Sequence, residues 1–192
     1  KLPFPPLPDD REYIKIDKPA ETISDLLKII EEYKPGKRKR YGFDLKQLHK
    51  LKGILKVFDN IIGVKTVKRK IVEIIIYYLQ DLEENFKNKL HTVIIGPPGC
   101  GKTMISTLLA KLYCQLGIIK TDKIVIAKRA DLIGKYLGQT APKTQAMIDK
   151  AMGGVLLIDE VYQLGNNEGR DIYSKECIDT INQNLTEHQG EF

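Results

Sequence analysis

No stretch of this sequence is apolar for long enough to cross a membrane. The longest strongly apolar runs are Ile74–Leu79 and Val155–Ile158, against the ~18 residues a spanning helix needs. A membrane-spanning protein is therefore excluded. Cysteine is scarce. Cys100, Cys114 and Cys177 lie far apart, with no Cys-x-x-Cys pair. That odd count and wide spacing argue against a disulfide framework or a thiolate zinc site and fit a reducing, intracellular setting. His49, His91 and His188 are scattered too, so no protein metal site is indicated. Arginine is rare, outnumbered by lysine 25 to 6, although arginine is the better reader of guanine edges and the better clamp on phosphates. Charge excess is small. Residues 1–60 carry 14 Lys+Arg against 10 Asp+Glu, and residues 61–192 carry 17 against 15, for a net of +6. Such a balance does not by itself imply nucleic acid. No internal repeat is present, and no charged-then-apolar leader follows Lys1, so no targeting assignment follows.

What is present describes a globular chain. Of 192 residues, 42% are hydrophobic and 29% charged, enough for one core with an added arm and too apolar for global disorder. Six of nine prolines fall in the first 35 residues, so the chain starts extended. Helical spacing then runs through Ile23–Tyr33, closed by Pro35 and Gly36, and again through Leu45, Leu48, Leu51, Ile54 and Leu55. Between these lies the basic run Lys37–Arg40, read as a solvated loop, with a nuclear-localisation or nucleic-acid patch as the rarer alternative. Residues 1–57 are expected to form a Pro-rich, basic helical arm.

After Gly63 the rhythm changes. A helix is expected over Val67–Leu82, a strand over His91–Ile95, a helix over Lys102–Leu116 closed by Gly117, and a strand over Ile124–Ala127. A helix over Ala141–Met152, a strand over Val155–Ile158 and a helix over Ser174–Glu187 follow, the last with Ile178, Ile181 and Leu185 inward. Strands alternating with helices predict an α/β fold, a parallel sheet with helices on both faces.

One motif decides the class. Gly96-Pro97-Pro98-Gly99-Cys100-Gly101-Lys102-Thr103 satisfies every fixed position of G-x-x-x-x-G-K-[ST], between a predicted strand and a predicted helix. Glycines let the backbone wrap phosphates with its N–H groups inward, and the helix presents its positive end to the anion. Lys102 can reach the β- and γ-phosphates, and the Thr103 hydroxyl can ligate Mg²⁺. Downstream, the strand Val155–Ile158 ends in Asp159-Glu160, where open α/β sheets place their ligands. Asp159 is suited to Mg²⁺, and Glu160 to polarising a water that attacks the γ-phosphate. The pattern is that of a P-loop ATP hydrolase. Cys100 sits beside a helix N-terminus, which favours thiolate; it is read as a tolerant loop position.

These residues resemble the AAA+ ATPases, and within them the CbxX/CfqX family, which includes stage V sporulation protein K and the red-type rubisco activase. Four stretches carry the resemblance: Asp59–Gly63 with Val67-Lys68, the phosphate loop, Arg129–Ala141 with Lys143-Thr144, and Leu156–Leu164. It covers about residues 59–190, so 58–192 is expected to be a partial AAA+ core. The resemblance implies that Ile61, Ile62 and Gly63 lie against the adenine. It also implies that Tyr136, Leu137 and Gly138 form a pore loop of a hexameric ring, where an aromatic ring can grip an extended protein substrate. Gly134 and Gly138 flank Tyr136, and the loop is expected to swing on them. Sheets of this superfamily run 5-1-4-3-2. The sequence ends at Phe192, after the helix expected to precede strand 4; sensor, arginine finger and lid are expected beyond it.

The resemblance thus implies an ATP- and Mg²⁺-dependent protein-remodelling motor, assembled as a homo-oligomer, cytoplasmic or nuclear. Two alternatives stay open: a nucleotide-binding structural subunit with little turnover, and a nucleic-acid-directed AAA+ ATPase.

Overall fold

The computed structural model describes residues 12–16, 18–36, 38–80, 91–165 and 171–187. The chain folds as two compact units, residues 1–83 and 84–192.

The first unit is helical with one small sheet. Strand β1 (Glu12–Ile14) pairs in parallel with β2 (Lys39–Tyr41), Glu12 opposite Lys39 and Ile14 opposite Tyr41. The sequence reading foresaw neither strand. Lys39 and Arg40 are exposed on β2, while Lys37 lies outside the described residues. Helix α1 (Ile23–Glu32) opens on a capping box: the Asp25 N–H donates to the Thr22 hydroxyl, and the Thr22 N–H donates back to the Asp25 carboxylate. Helices α2 (Leu45–Lys50) and α3 (Lys52–Asn60) divide what the leucine spacing predicts as one helix. The break is at Leu51, whose N–H turns back to the Leu48 carbonyl at 3.1 Å, a tightened 3₁₀ step. Both pieces still bury their stripe: Leu48, Leu51, Leu55 and Phe58 are fully enclosed, each contributing about 2 kcal/mol by removal from water. Helix α4 (Lys65–Leu79) packs on α1 and α2 through this unit's core. The division expected between residues 57 and 58 therefore falls inside the helical unit, because α4 belongs to it.

The second unit is the α/β unit. Helix α5 (Lys102–Leu116) starts at Gly101 and is closed by left-handed Gly117. Strand β3 (Ile124–Ala127) and strand β4 (Val155–Ile158) pair in parallel, Ile124 opposite Val155 and Ala127 opposite Ile158. Between them in sequence lie α6 (Arg129–Leu132) and the crossover helix α7 (Thr140–Ala151), which packs on both strands. A 3₁₀ turn, Val161–Leu164, follows β4, and α8 (Ile172–Glu187) lies against α7. Ala127, Leu132, Leu164 and Cys177 form the buried centre, with Met147, Leu156, Ile158 and Ile181 against it.

Two expectations are corrected. The strand over His91–Ile95 is not formed: residues 91–97 are irregular, and Val93 and Ile95 are 77% and 91% exposed. β-branched residues favour extended backbone, but a strand is completed by a neighbour that takes its N–H and C=O groups. β3 and β4 pair with each other, and no described strand lies beside 91–95. On α8, Ile178 faces solvent, and the buried stripe is Ser174, Cys177 and Asn184, with Ile181 and Leu185 half-buried. The helix is turned this way because its buried polar groups have partners: Ser174 bonds Arg129 and Asp171, and Asn184 exchanges two amide bonds with Gln145 of α7. Among the described residues no buried side-chain nitrogen or oxygen lacks a partner. None of the described helices is long and apolar enough to cross a membrane.

Candidate functional site

The phosphate loop forms the turn the motif predicts. Gly99 and Gly101 take φ of +76° and +84°, the left-handed region that other side chains rarely adopt. Gly101 leads directly into α5, so the N–H groups of the first helical turn point toward the loop without intrahelical acceptors. A Cβ on Gly96 would come within 2.8 Å of the Cys100 Sγ, so a larger residue there would make the cysteine side chain shift. Lys102 folds back over this loop, donating from Nζ to the carbonyls of Gly96 and Pro97, both at 3.0 Å. Both partners are neutral carbonyls, and among the described residues no carboxylate pairs with the ammonium. Pro98 and Thr103 are exposed on the same loop. This arrangement fits a polyanion of phosphate size.

Asp159 and Glu160 stand at the carboxyl end of β4, as expected. The Asp159 N–H donates to the Ala127 carbonyl at 2.9 Å, extending the β3–β4 ladder by one bond and leaving the half-buried side chain at the sheet end. Glu160 takes φ +54° and ψ +42°. A non-glycine residue in this region is strained by ~1–3 kcal/mol, and such strain concentrates at functional positions. The exposed Glu160 carboxylate accepts from the Gln163 side-chain amide at 2.6 Å, and the Gln163 N–H donates to the Glu160 carbonyl at 2.9 Å. The Thr103 hydroxyl and the Asp159 carboxylate are both of the oxygen donor type that Mg²⁺, which takes few protein ligands besides phosphate and water, accepts.

The connection from β3 to α7 is a closed loop. Tyr136 and Leu137 are 70% and 76% exposed at its tip, so neither packs in a core. Gly138 has φ +78°. Gly134 does not act as a swivel: a Cβ there would lie 2.5 Å from the Gln139 Cβ and 2.9 Å from its carbonyl carbon, so glycine is needed for close approach at the loop base. That base is tied three times. The Gly134 N–H donates to the Thr140 hydroxyl, Lys143 Nζ donates to the Ala130 and Ile133 carbonyls, and Thr144 donates to the Leu132 carbonyl. The resembling stretch Arg129–Thr144 is thus a set of residues that bond one another.

Sequence reasoning missed the cluster around Arg129. Its guanidinium donates to the Ser174 hydroxyl at 2.7 Å, the Asp171 carboxylate at 2.7 Å and the Gln163 carbonyl at 3.3 Å. The Ser174 hydroxyl and N–H, together with Arg129, lower the Asp171 carboxyl to about 2. Arg129 and Asp171 are 42 positions apart, and of the two only Arg129 stands in a stretch that carries the resemblance. Burial pushes the Cys177 thiol up. In the helical unit, Ile61, Ile62 and Gly63 join α3 to α4. Ile62 is 97% exposed, and Val64 takes φ +46° after Gly63 at +80°.

A nest of N–H donors opening a helix, with an acid pair ending a parallel strand, defines a P-loop nucleotide-binding protein. The model of the ATPase family associated with various cellular activities (AAA) matches residues 92–191, and the chain belongs to this family. Within it the chain is a member of the CbxX/CfqX group. It is 47% identical over 148 residues to a cfxQ-like protein of Acanthamoeba polyphaga mimivirus, covering 77% of this chain and 36% of that protein. It is 38% identical over 148 residues to stage V sporulation protein K of Bacillus subtilis, covering 74% and 46%. It is also 38% identical over 138 residues to the chloroplastic cbbX homologue of Guillardia theta, covering 68% and 37%. The chain spans less than half the length of each of these relatives.

Proposed function

We propose that this protein binds and hydrolyses Mg-ATP and uses the turnover to remodel a protein substrate, as one subunit of a homo-oligomeric ring. The observation that carries the reading is the phosphate loop: left-handed Gly99 and Gly101, the open start of α5, and Lys102 held over the loop by neutral partners. The loop backbone binds the phosphates, and Lys102 exchanges its two carbonyl bonds for charge-assisted ones. Thr103 and Asp159 would hold Mg²⁺, which would supply positive charge to the transferred phosphoryl group. Glu160 orients the attacking water and accepts its proton. The exposed Tyr136 and Leu137, followed by Gly138, grip an extended polypeptide by burial and stacking rather than by a side-chain code. Family membership supports the nucleotide and the ring.

Three variants of the full-length protein test this. In calorimetry, Lys102→Ala should lose most of its Mg-ATP affinity. Glu160→Gln should keep the affinity and lower turnover by ~10²-fold, the scale of a positioned base. Tyr136→Ala should keep both turnover and the ring in sedimentation, while losing threading of a labelled unfolded polypeptide. Unchanged affinity in Lys102→Ala would overturn the nucleotide site. Binding without turnover in the wild type would identify a structural nucleotide-binding subunit. Threading by Tyr136→Ala at the wild-type rate would remove the loop from substrate contact.

A further inference from the structure

Hydrogen bonds, linked through the backbone of Gln163 and of residues 129–134, join the Glu160 carboxylate to the base of the loop that carries Tyr136, and Arg129 is their centre. At one end the Gln163 amide holds Glu160, inside the turn Val161–Leu164. The Gln163 carbonyl accepts from Arg129. Arg129 opens α6, whose carbonyls at Ala130 and Leu132, with that of Ile133 next to it, are held by Lys143 and Thr144. Gly134, one residue on, is bonded to Thr140 across the loop base. The guanidinium also holds Ser174 and Asp171 at the start of α8. A planar fork with donors fixed in direction can tie three segments this way, whereas an ammonium on a flexible stem cannot hold the same geometry.

We propose that Arg129 is a positioning residue that transmits the state of the Glu160 turn to the Tyr136 loop. The inference rests on the nucleotide reading above. Its physical basis is a competition at one carboxylate. Glu160 bonds either the Gln163 amide or the water and ligand at the phosphate end, and a ligand shifts an equilibrium only through such a difference between two states. Glu160 is also a strained joint at φ +54°, so its release lets the short turn move. Gln163 then draws on Arg129, and α6 carries the displacement to the loop base. Arg129 touches neither nucleotide nor substrate in this scheme.

Amide hydrogen exchange on the full-length protein tests it, comparing the Mg-ADP state with the state bound to a non-hydrolysable Mg-ATP analogue. In the wild type the amides of residues 134–140 should differ between the two states roughly two- to thirtyfold, the span of measured coupling energies. Arg129→Gln should lose that difference and keep analogue affinity. Arg129→Lys should recover part of it. Gln163→Ala, at an exposed position that folds regardless, breaks the other link and should give the same loss. Asp171→Asn loosens the start of α8 but leaves the Arg129–Gln163 bond, so it should keep the response. A wild-type-sized response in Arg129→Gln or Gln163→Ala overturns the proposal. So does loss of the response in Asp171→Asn, which would make Arg129 merely structural. If the wild type binds the analogue and the loop does not respond, the coupling fails and the nucleotide site stands. If it binds no analogue, both fail.

Discussion

Gln145 and Asn184 show how single residues set the packing of the α/β unit. Each side-chain amide donates to the other's oxygen, at 2.8 and 3.0 Å, with Asn184 only 4% exposed. Asn184 is buried and its amide keeps the Thr180 carbonyl, but truncating Gln145 takes the donor from the Asn184 Oδ1. Gln145→Ala should therefore cost ~1–3 kcal/mol in urea unfolding, while Gln145→Leu with Asn184→Leu should recover most of it, since no orphaned polar group remains. A cost within the ~0.5 kcal/mol typical of surface changes would show that the pair is solvated. The strained residues mark the opposite case. Val64 and Glu160 hold left-handed backbone without glycine; Glu160 lies in a stretch that carries the resemblance, and Val64 directly follows another. Lys102 donates to two carbonyls, of Gly96 and Pro97.

At the level of elements, the start of α8 is an electrostatic joint with a definite pH response. The Asp171 carboxyl accepts from the Ser174 hydroxyl and N–H and then from Arg129. Its value of about 2 lies below the ordinary 3.8. A folded-state value below the unfolded one means that folding favours the ionised form. The stabilisation is complete above pH ~4 and is lost as pH falls through about 2. Wild type should therefore exceed Asp171→Asn in urea midpoint at pH 7, and the gap should close between pH ~4 and ~2. A gap independent of pH would mean that the carboxylate keeps its ordinary value in the folded state. The same joint explains why α8 buries Ser174 rather than Ile178: a satisfied polar stripe packs against α7, and the isoleucine is left to solvent.

At the level of the molecule, each unit has buried apolar residues of its own among the described residues. The helical unit closes around Leu48, Leu51, Leu55, Phe58 and Ile75, and the α/β unit around Ala127, Leu132, Leu164 and Cys177. Leucine and isoleucine spacing over residues 23–79 already supplies a complete apolar set within the first unit. A fragment of residues 1–83 should therefore fold by itself, with helical circular dichroism and one cooperative urea transition, as single domains of this size do. A gradual, non-cooperative melt would show that α1–α4 need the second unit. The family match at residues 92–191 covers the α/β unit, whereas Ile61, Ile62 and Gly63, which the resemblance sets against the adenine, lie in the helical unit.

The sequence by itself determined what depends on neighbours along the chain. The phosphate loop is a run of eight residues whose glycines dictate their own turn, so its shape was legible before any fold. Helix periods, the stop at Gly117, the strands 124–127 and 155–158 and the acid pair after the second were legible for the same reason: each is written in local spacing. Tertiary structure decided whatever needs a partner distant in sequence. Residues 91–95 have the composition of a strand, but a strand exists only beside another, and none of the described strands lies there. The pairing of β1 with β2, the membership of α4 in the helical unit and the turn of α8 depend on groups many residues away. Gly134, expected as a swivel, is required because Gln139 folds back upon it. The Arg129 cluster draws on residues 129, 163, 171 and 174. No periodicity connects those positions, because hydrogen bonds between elements follow distance in space and leave no spacing in the chain.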